Sequence, residues 1–205
     1  MQSKDAVRTE ETVNKENKGT PKKGEWGYLD SRHFTTLFRF LLFGLITLIL
    51  ALCTWVIFPE HGMVFLVLAV VSAIPTAMAG VNMIMFMRFK SMSPEEHKEI
   101  EENMGRIPCV YDSVLTTTEK SYYAPCIGVI NKNLMLYASL NEKEEKELIR
   151  HLTLMGKKNG FREWHIRVFK TREEFINRLR YLNEQNIKVL KTDYEMLGLI
   201  GNLSL

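Results

Sequence analysis

Two charge-free stretches, FLLFGLITLILALCTWVIFP (residues 40–59) and GMVFLVLAVVSAIPTAMAGVNMIMFM (residues 62–87), decide the fold of this chain. At about 1.5 Å of helical rise per residue, each stretch is long enough to cross the roughly 30 Å hydrocarbon core of a bilayer. A soluble domain of this size could not bury two helices that are apolar on every side. The sequence therefore predicts two transmembrane helices rather than a buried helix pair.

The short link between the stretches predicts a hairpin. Pro59 ends the first helix and Gly62 permits the chain to reverse, so the two helices run antiparallel. The link has no Lys or Arg, whereas the outer flanks carry Arg32, Arg39, Arg88 and Lys90. By the positive-inside rule, we expect a multi-pass protein of the inner (cytoplasmic) membrane with both termini cytosolic. Arg39 stands at the edge of the first span, where its side chain can reach the lipid headgroups.

The second span carries small residues that recur at three- and four-residue spacing and therefore share one helix face. These helix-packing candidates are Ala69, Ser72, Ala73, Thr76, Ala77 and Gly80. Small side chains allow another helix to approach closely. We favour the first span of the same chain as the neighbour, and self-association or the helix of another membrane protein are the alternatives.

The rest of the chain divides into three further segments. Residues 1–35 are polar and rich in Lys and Arg, which predicts a disordered cytosolic tail before the hairpin of residues 36–90. Ser93 and Pro94 are typical of a helix start, and a connecting helix is expected over residues 91–105. Residues 106–205 are predicted to form a cytosolic α+β domain.

Alternating and β-branched patterns predict the elements of this domain. Strands are expected over residues 107–118, 124–130, 134–140, 164–169 and 187–190. Asn131 suits a hairpin turn because Asn tolerates positive φ. Asn141 and Thr171 are predicted caps of two helices, and Asn186 is a left-handed stop. This order favours a mixed sheet with helices on one face, onto which the apolar segment from Tyr194 packs.

Composition excludes several classes of protein. The chain has 205 residues, a formal net charge of +3 and three cysteines. The sequence has no CxxC motif and no Cys/His cluster, so we expect no disulfide framework, no metal and no other cofactor. The cysteine usage fits a reducing compartment. The charge is too small to imply nucleic-acid binding.

Catalytic motifs are also missing. There is no Walker loop, GxGxxG, GxSxG or HExxH sequence. Cys126 could pair with His151 or His165 as nucleophile and base, but a cysteine at the start of a strand is more typical of a small buried hydrophobe. We therefore expect a protein that is not an enzyme.

The second half of the domain has a basic surface whose candidate residues are Lys157, Lys158 and Arg162. The simplest interpretation is a set of solvated side chains interleaved with acids. The alternatives are attraction to anionic headgroups, or to nucleic acid with Tyr122, Tyr123 and Trp164 stacking on bases.

The stretch from Cys126 to Asp193 resembles the large polyvalent-protein-associated domain of conjugative mobile-element proteins. The resemblance is carried by a hairpin, a helix, a strand, a turn into a helix containing Glu-Phe, and a final short strand. Here these are Ile127–Tyr137, Glu144–Lys158, His165–Phe169, Thr171–Phe175 and Asn186–Val189. Lys170 and Thr171 stand where that family usually has a small residue.

The overall layout is similar to that of the entry-exclusion proteins of some conjugative plasmids. Those proteins sit in the recipient's inner membrane and block uptake of a related plasmid. The resemblance implies a non-enzymatic interaction protein whose partners are the lipid bilayer, another membrane protein and a possible second copy. The alternatives are a structural subunit of a membrane transport or secretion complex, and an enzyme or lipid-binding module held at the membrane.

Overall fold

The computed structural model describes residues 20–53, 62–117 and 120–204. Two long apolar helices are followed by a domain of helices and a mixed β-sheet. The chain forms two compact units. One contains residues 29–90, which we call the helix unit. The other contains residues 20–28 and 91–204 of the described chain, which we call the domain.

The elements are numbered along the chain. They are α1 (Tyr28–Leu52), α2 (Gly62–Met87), α3 (Pro94–Met104), β1 (Cys109–Thr116), β2 (Ser121–Ile130), β3 (Asn133–Tyr137), α4 (Glu142–Lys158), β4 (His165–Phe169), α5 (Arg172–Glu184) and α6 (Lys191–Leu203). By length and composition, α1 and α2 are both sufficient to cross a membrane. The predicted turn at Pro59 lies outside the described residues.

The domain is built on a four-stranded sheet in the order β1-β2-β3-β4. The first three strands are antiparallel and β4 is parallel to β3, so the prediction of a mixed sheet is confirmed. The turn between β2 and β3 has positive φ at Asn131 (45°) and Lys132 (61°), the geometry of a two-residue hairpin. The Asn141 cap and the left-handed Asn186 are also present.

Helices cover both faces of the sheet, so the prediction of helices on one face is wrong. One core contains Ile127 and Val129 of β2 with Leu148 of α4 and Ile200 of α6. The opposite core contains residues of α3 and α5 with Cys126, Ile130 and Met135 of the strands. Because both faces carry apolar side chains, each needs its own covering layer.

The predicted strand over residues 187–190 is absent, and this segment leads instead into α6. Asp193, in the first turn of α6, is buried, and its carboxylate accepts hydrogen bonds from the backbone N–H groups of Leu190 (2.8 Å), Asn131 (3.0 Å) and Lys132 (3.3 Å). The carboxylate thus fixes the start of α6 against the β2–β3 turn. The apolar C-terminal segment packs on the domain as predicted.

The predicted disordered tail over residues 1–35 is wrong for residues 20–35, while residues 1–19 lie outside the described chain. Within the domain, residues 20–27 bind β1, Met92 and His97, and we call this contact the clasp. The Tyr111 N–H donates to the Gly24 carbonyl (2.8 Å), and the Gly27 N–H donates to the Asp112 carboxylate (2.7 Å). These bonds join residues too distant in sequence for a local pattern to reveal them.

Trp26 completes the clasp. Its indole N–H donates to the Met92 carbonyl (3.0 Å), and its ring stacks on His97 at 4.7 Å between centroids. His97 in turn contacts the Tyr111 ring edge-on at 4.8 Å. The segment before α1 and the segment after α2 are therefore bound to each other within the domain.

Asp112 interrupts the pairing of β1 with β2 at the point where the clasp binds. Its φ is 49° and its position in the ladder is opposite Pro125, which has no N–H to donate. Asp112 is 3% exposed, and its carboxylate also accepts a hydrogen bond from the Tyr123 hydroxyl (3.0 Å). Side chains along β2 alternate between the two faces of the sheet, and this alternation shifts by one residue near Pro125. The shift is seen because Ala124 and Ile127, three positions apart, both belong to the same core.

The predicted connecting helix is α3, and it is part of the domain rather than a separate connector. The Ser93 hydroxyl caps it by accepting from the Glu96 N–H (3.2 Å), and Ile100 is fully buried in the core. At its other end, the Asn183 side-chain amide donates to the carbonyls of Asn103 (2.9 Å) and Met104 (3.2 Å). These bonds tie α3 to α5.

Replacing Asp112 should weaken the domain through the clasp. Asp112→Gly keeps the positive φ accessible but removes two hydrogen bonds to a carboxylate, so we expect a loss of about 2–4 kcal/mol in the free energy of unfolding. Urea denaturation of the full-length protein in mild detergent, followed by circular dichroism, measures this.

Asn131→Gly is the matched control, because Asn131 also has positive φ and its side chain makes no hydrogen bond to the described residues. We expect it to change the free energy by less than about 0.5 kcal/mol. Equal stability of the Asp112→Gly and Asn131→Gly variants would show that the Asp112 carboxylate does not hold the clasp.

Candidate functional site

The helix unit has a polar seam between its two helices. Thr47 Oγ1 of α1 lies 2.9 Å from Thr76 Oγ1 of α2, and Ser72 Oγ lies 3.1 Å from Thr47 Oγ1. Farther along, Phe40 of α1 approaches Gly80 of α2. Phe40 contacts Gly80, and Thr47, farther along α1, contacts the earlier residue Thr76 of α2. The two helices are therefore antiparallel.

The structure separates the six helix-packing candidates into two groups. Ser72, Thr76 and Gly80 contact α1, and Ala69 is buried. Ala73 and Ala77 are exposed. Most of the small-residue face therefore serves α1 of the same chain, the neighbour favoured by the sequence, and two alanines on the adjoining face remain uncovered.

Thr47 is the residue of the seam that the sequence analysis missed. It is the only hydroxyl residue between Phe40 and Cys53, which is a detectable signal in an otherwise apolar helix. Its hydroxyl also lies 3.0 Å from the Phe43 carbonyl and 3.3 Å from the Ser72 carbonyl. A hydroxyl with partners on both helices fixes their relative position along the helix axes.

The predicted basic residues cluster at the end of α4. Lys157 and Lys158 lie in its last turn and Arg162 is four positions beyond Lys158. All three are exposed, and none makes an ion pair with the described residues. Cations are favoured in the last turn by the carbonyl end of the helix dipole, and we call the three residues the basic surface.

A surface cavity of about 550 Å³ lies beside this cluster. Its lining consists of Thr117, Glu147, Arg150, His151, Thr153, Leu154 and Lys157. Glu147 accepts a hydrogen bond from Thr117 (3.2 Å), and His151 Nε2 is buried without a partner among the described residues. Because a carboxylate shares the lining with cations, the cavity does not select one charge of ligand.

Cys109 and Cys126 are free thiols on neighbouring strands. Burial raises the pKa of the Cys126 thiol, while a hydrogen bond from Cys126 lowers the pKa of the Cys109 thiol. Burial also raises the pKa of the nearby Tyr111 hydroxyl. Cys126 is therefore a neutral, fully buried thiol, which is a poor nucleophile.

The nucleophile–base pairs considered from sequence are not assembled. Cys126 belongs to the core on the α3/α5 face, whereas His151 lies on α4, which covers the opposite face. His165 is exposed on β4, two strands away from Cys126. Nor do the described residues place three or more His, Cys, Asp or Glu side chains together to hold a metal ion.

No family model, curated protein or solved structure matches this chain. The helix unit and the basic surface are therefore assigned from their own geometry.

The close approach at Gly80 predicts how the helix pair responds to added volume. A Cβ at Gly80 would lie 3.1 Å from Phe40 Cε2, so Gly80→Val should separate the helices at a cost of about 1–3 kcal/mol. The measurement is the rate of disulfide formation between Thr47→Cys and Thr76→Cys in a protein without its native cysteines. We expect it to fall about tenfold.

Gly44→Val is the matched control, since a Cβ at Gly44 meets no atom within 4 Å. The same slowing in both variants would mean that valine disturbs either helix by itself, and that the contact of Gly80 with Phe40 does not set the pairing.

Proposed function

We propose that this chain is a multi-pass protein of the inner membrane. In this proposal, α1 and α2 cross the bilayer as a hairpin with both termini in the cytosol, and the domain is a non-enzymatic interaction module.

One observation carries the hairpin. Residues 20–28 and 91–204 form one compact unit, in which Trp26 is hydrogen-bonded to Met92. The start of α1 and the chain after α2 therefore belong to the same folded body, which lies on one side of any bilayer. This supports a hairpin, in which the two spans leave and return to one side.

Charge supports the cytosolic side for this body. Arg32 and Arg39 precede the charge-free stretch of α1, and Arg88 and Lys90 follow α2, whereas no Lys or Arg occurs between the two charge-free stretches. Lys and Arg are retained on the cytosolic side of bacterial inner-membrane proteins. The exposed apolar side chains of both helices, among them Leu45, Val67 and Val70, would face lipid.

Accessibility of introduced cysteines tests this topology. In a protein without native cysteines, Lys158→Cys should react with a membrane-impermeant maleimide only after spheroplasts are lysed. Glu60→Cys, between the two spans, should react in intact spheroplasts. Labelling of Lys158→Cys in intact spheroplasts would show that the domain lies outside the cytosol. If neither position is labelled in intact spheroplasts and alkaline carbonate releases all of the protein, the chain does not span the membrane.

We further propose that the protein acts in entry exclusion of a related conjugative element. The support is the resemblance of residues 126–193 to the domain of mobile-element proteins and the similar layout of exclusion proteins. The surface that would meet the transfer machinery is the basic surface of the exposed Lys157, Lys158 and Arg162.

Conjugation into recipient cells tests this role. Recipients that express the protein should receive a related plasmid at lower frequency than recipients that lack it. Reversing the three basic charges with Glu should restore transfer, because an attraction at the surface becomes a repulsion. Lys143→Glu/Lys146→Glu is the matched control, at the other end of α4, and should exclude as well as the unchanged protein.

A structural subunit of a membrane transport or secretion complex is the alternative. It is favoured by Ala73 and Ala77, two small side chains on an exposed face of α2 that would allow another helix to pack closely. Purification in mild detergent separates the two functions. A stable multi-protein assembly from one cell, with no effect on conjugation, would replace the exclusion role by this one.

A further inference from the structure

A groove runs between α1 and α2 on one side of the helix unit. Its volume is about 240 Å³. The lining residues are Thr36, Arg39 and Phe43 of α1 with Pro75, Met78, Ala79 and Asn82 of α2. Nothing in the packing of the seam requires Arg39 or Asn82, since the seam is made by Thr47, Ser72, Thr76 and the contact of Phe40 with Gly80.

The two strongest hydrogen-bond donors of the groove lie at the same level. Phe40 faces Gly80, so in an antiparallel pair Arg39 and Asn82 are both displaced from that contact toward the outer ends of the helices. Both side chains line the groove and both are exposed. They therefore present a guanidinium and an amide to one occupant.

Arg39 has no counterion within the helix unit. It makes no ion pair with the described residues, and the only acidic residue described between positions 29 and 90 is Asp30, about 13 Å away along the helix. The Asn82 side chain likewise has no hydrogen bond to the described residues. A cation beside an apolar span, with an unpaired amide at its level, favours an anionic acceptor.

The groove is polar at one end and apolar at the other. Arg39 and Asn82 lie toward the outer ends of the helices, whereas Phe43, Pro75 and Met78 lie nearer their middle. A free anion would use only the polar end. A molecule with a charged head and a hydrocarbon chain uses both ends. In a bilayer its head lies at the level of the outer ends of the helices and its chain at the level of their middle.

We propose that this groove binds one anionic phospholipid, with its phosphate on Arg39 and Asn82 and an acyl chain along Phe43, Pro75 and Met78. The guanidinium pairs with the phosphate oxygens and the Asn82 amide donates a further hydrogen bond. The Thr36 hydroxyl already donates to backbone carbonyls of its own helix, so it adds no donor. The site rests on the proposed membrane insertion of α1 and α2.

The test uses the full-length protein in mild detergent and native mass spectrometry with added phosphatidylglycerol or phosphatidylcholine. We expect one tightly retained phosphatidylglycerol and weaker retention of phosphatidylcholine. Arg39→Gln and Asn82→Leu should each weaken retention of phosphatidylglycerol, Arg39→Gln by about tenfold or more, since Arg39→Gln removes the positive charge and Asn82→Leu removes an amide donor to a charged group. Inorganic phosphate should not compete, because it leaves the apolar end empty.

Arg88→Gln is the matched control. Arg88 is also exposed and basic, follows the end of α2, and does not line the groove. Retention lost equally in Arg88→Gln and Arg39→Gln would overturn the site in favour of a diffuse surface charge. Unchanged lipid retention in Arg39→Gln, with loss of a co-purifying membrane protein, would assign the groove to an acidic partner helix instead.

Membrane insertion is scored separately, by resistance to extraction with alkaline carbonate. A protein that resists extraction but retains no lipid fails the groove proposal alone. A protein that is extracted fails the hairpin proposal as well.

Discussion

The hydrogen bond from the Gly27 N–H to the buried Asp112 carboxylate is the constraint on which the architecture depends. It attaches the last residues before α1 to the first strand of a sheet that begins only after α2. Gly24 is required beside it, because its φ is 92° and a Cβ there would lie 2.5 Å from Val110 Cγ1. A side chain at this position would require either Val110 or the segment itself to shift. Through this clasp, the chain segments that precede and follow the helix unit in the sequence are both part of the domain.

Local signals were sufficient for the features that a few neighbouring residues determine. The caps at Ser93, Asn141 and Thr171 and the positive φ at Asn131 and Asn186 were predictable, because each depends on a side chain or backbone preference within four residues. The mixed sheet followed from the order of strands and helices.

Features that depend on distant contacts were not predictable. The polar composition of residues 20–27 indicated disorder, yet Gly27 and Asp112 are 85 positions apart and only the folded sheet brings them together. Residues 187–190 have the composition of a strand, but the Asp193 carboxylate holds them at the start of α6. At the candidate site, spacing identified the small-residue face of α2, but a set of residues three and four apart spans a wide arc. Only the register with Thr47 distinguishes Thr76, which faces α1, from Ala77, which does not.

The clasp also constrains the order in which the chain can acquire its fold during synthesis. Residues 20–27 leave the ribosome before the helix unit, but their binding site on β1 is made only after both apolar helices have been translated. The loop that must close contains the whole helix unit, so its closure comes late and slowly. Until then residues 20–27 have no partner on β1, and the domain is complete only once both helices have been made and the segments on either side of them lie close together.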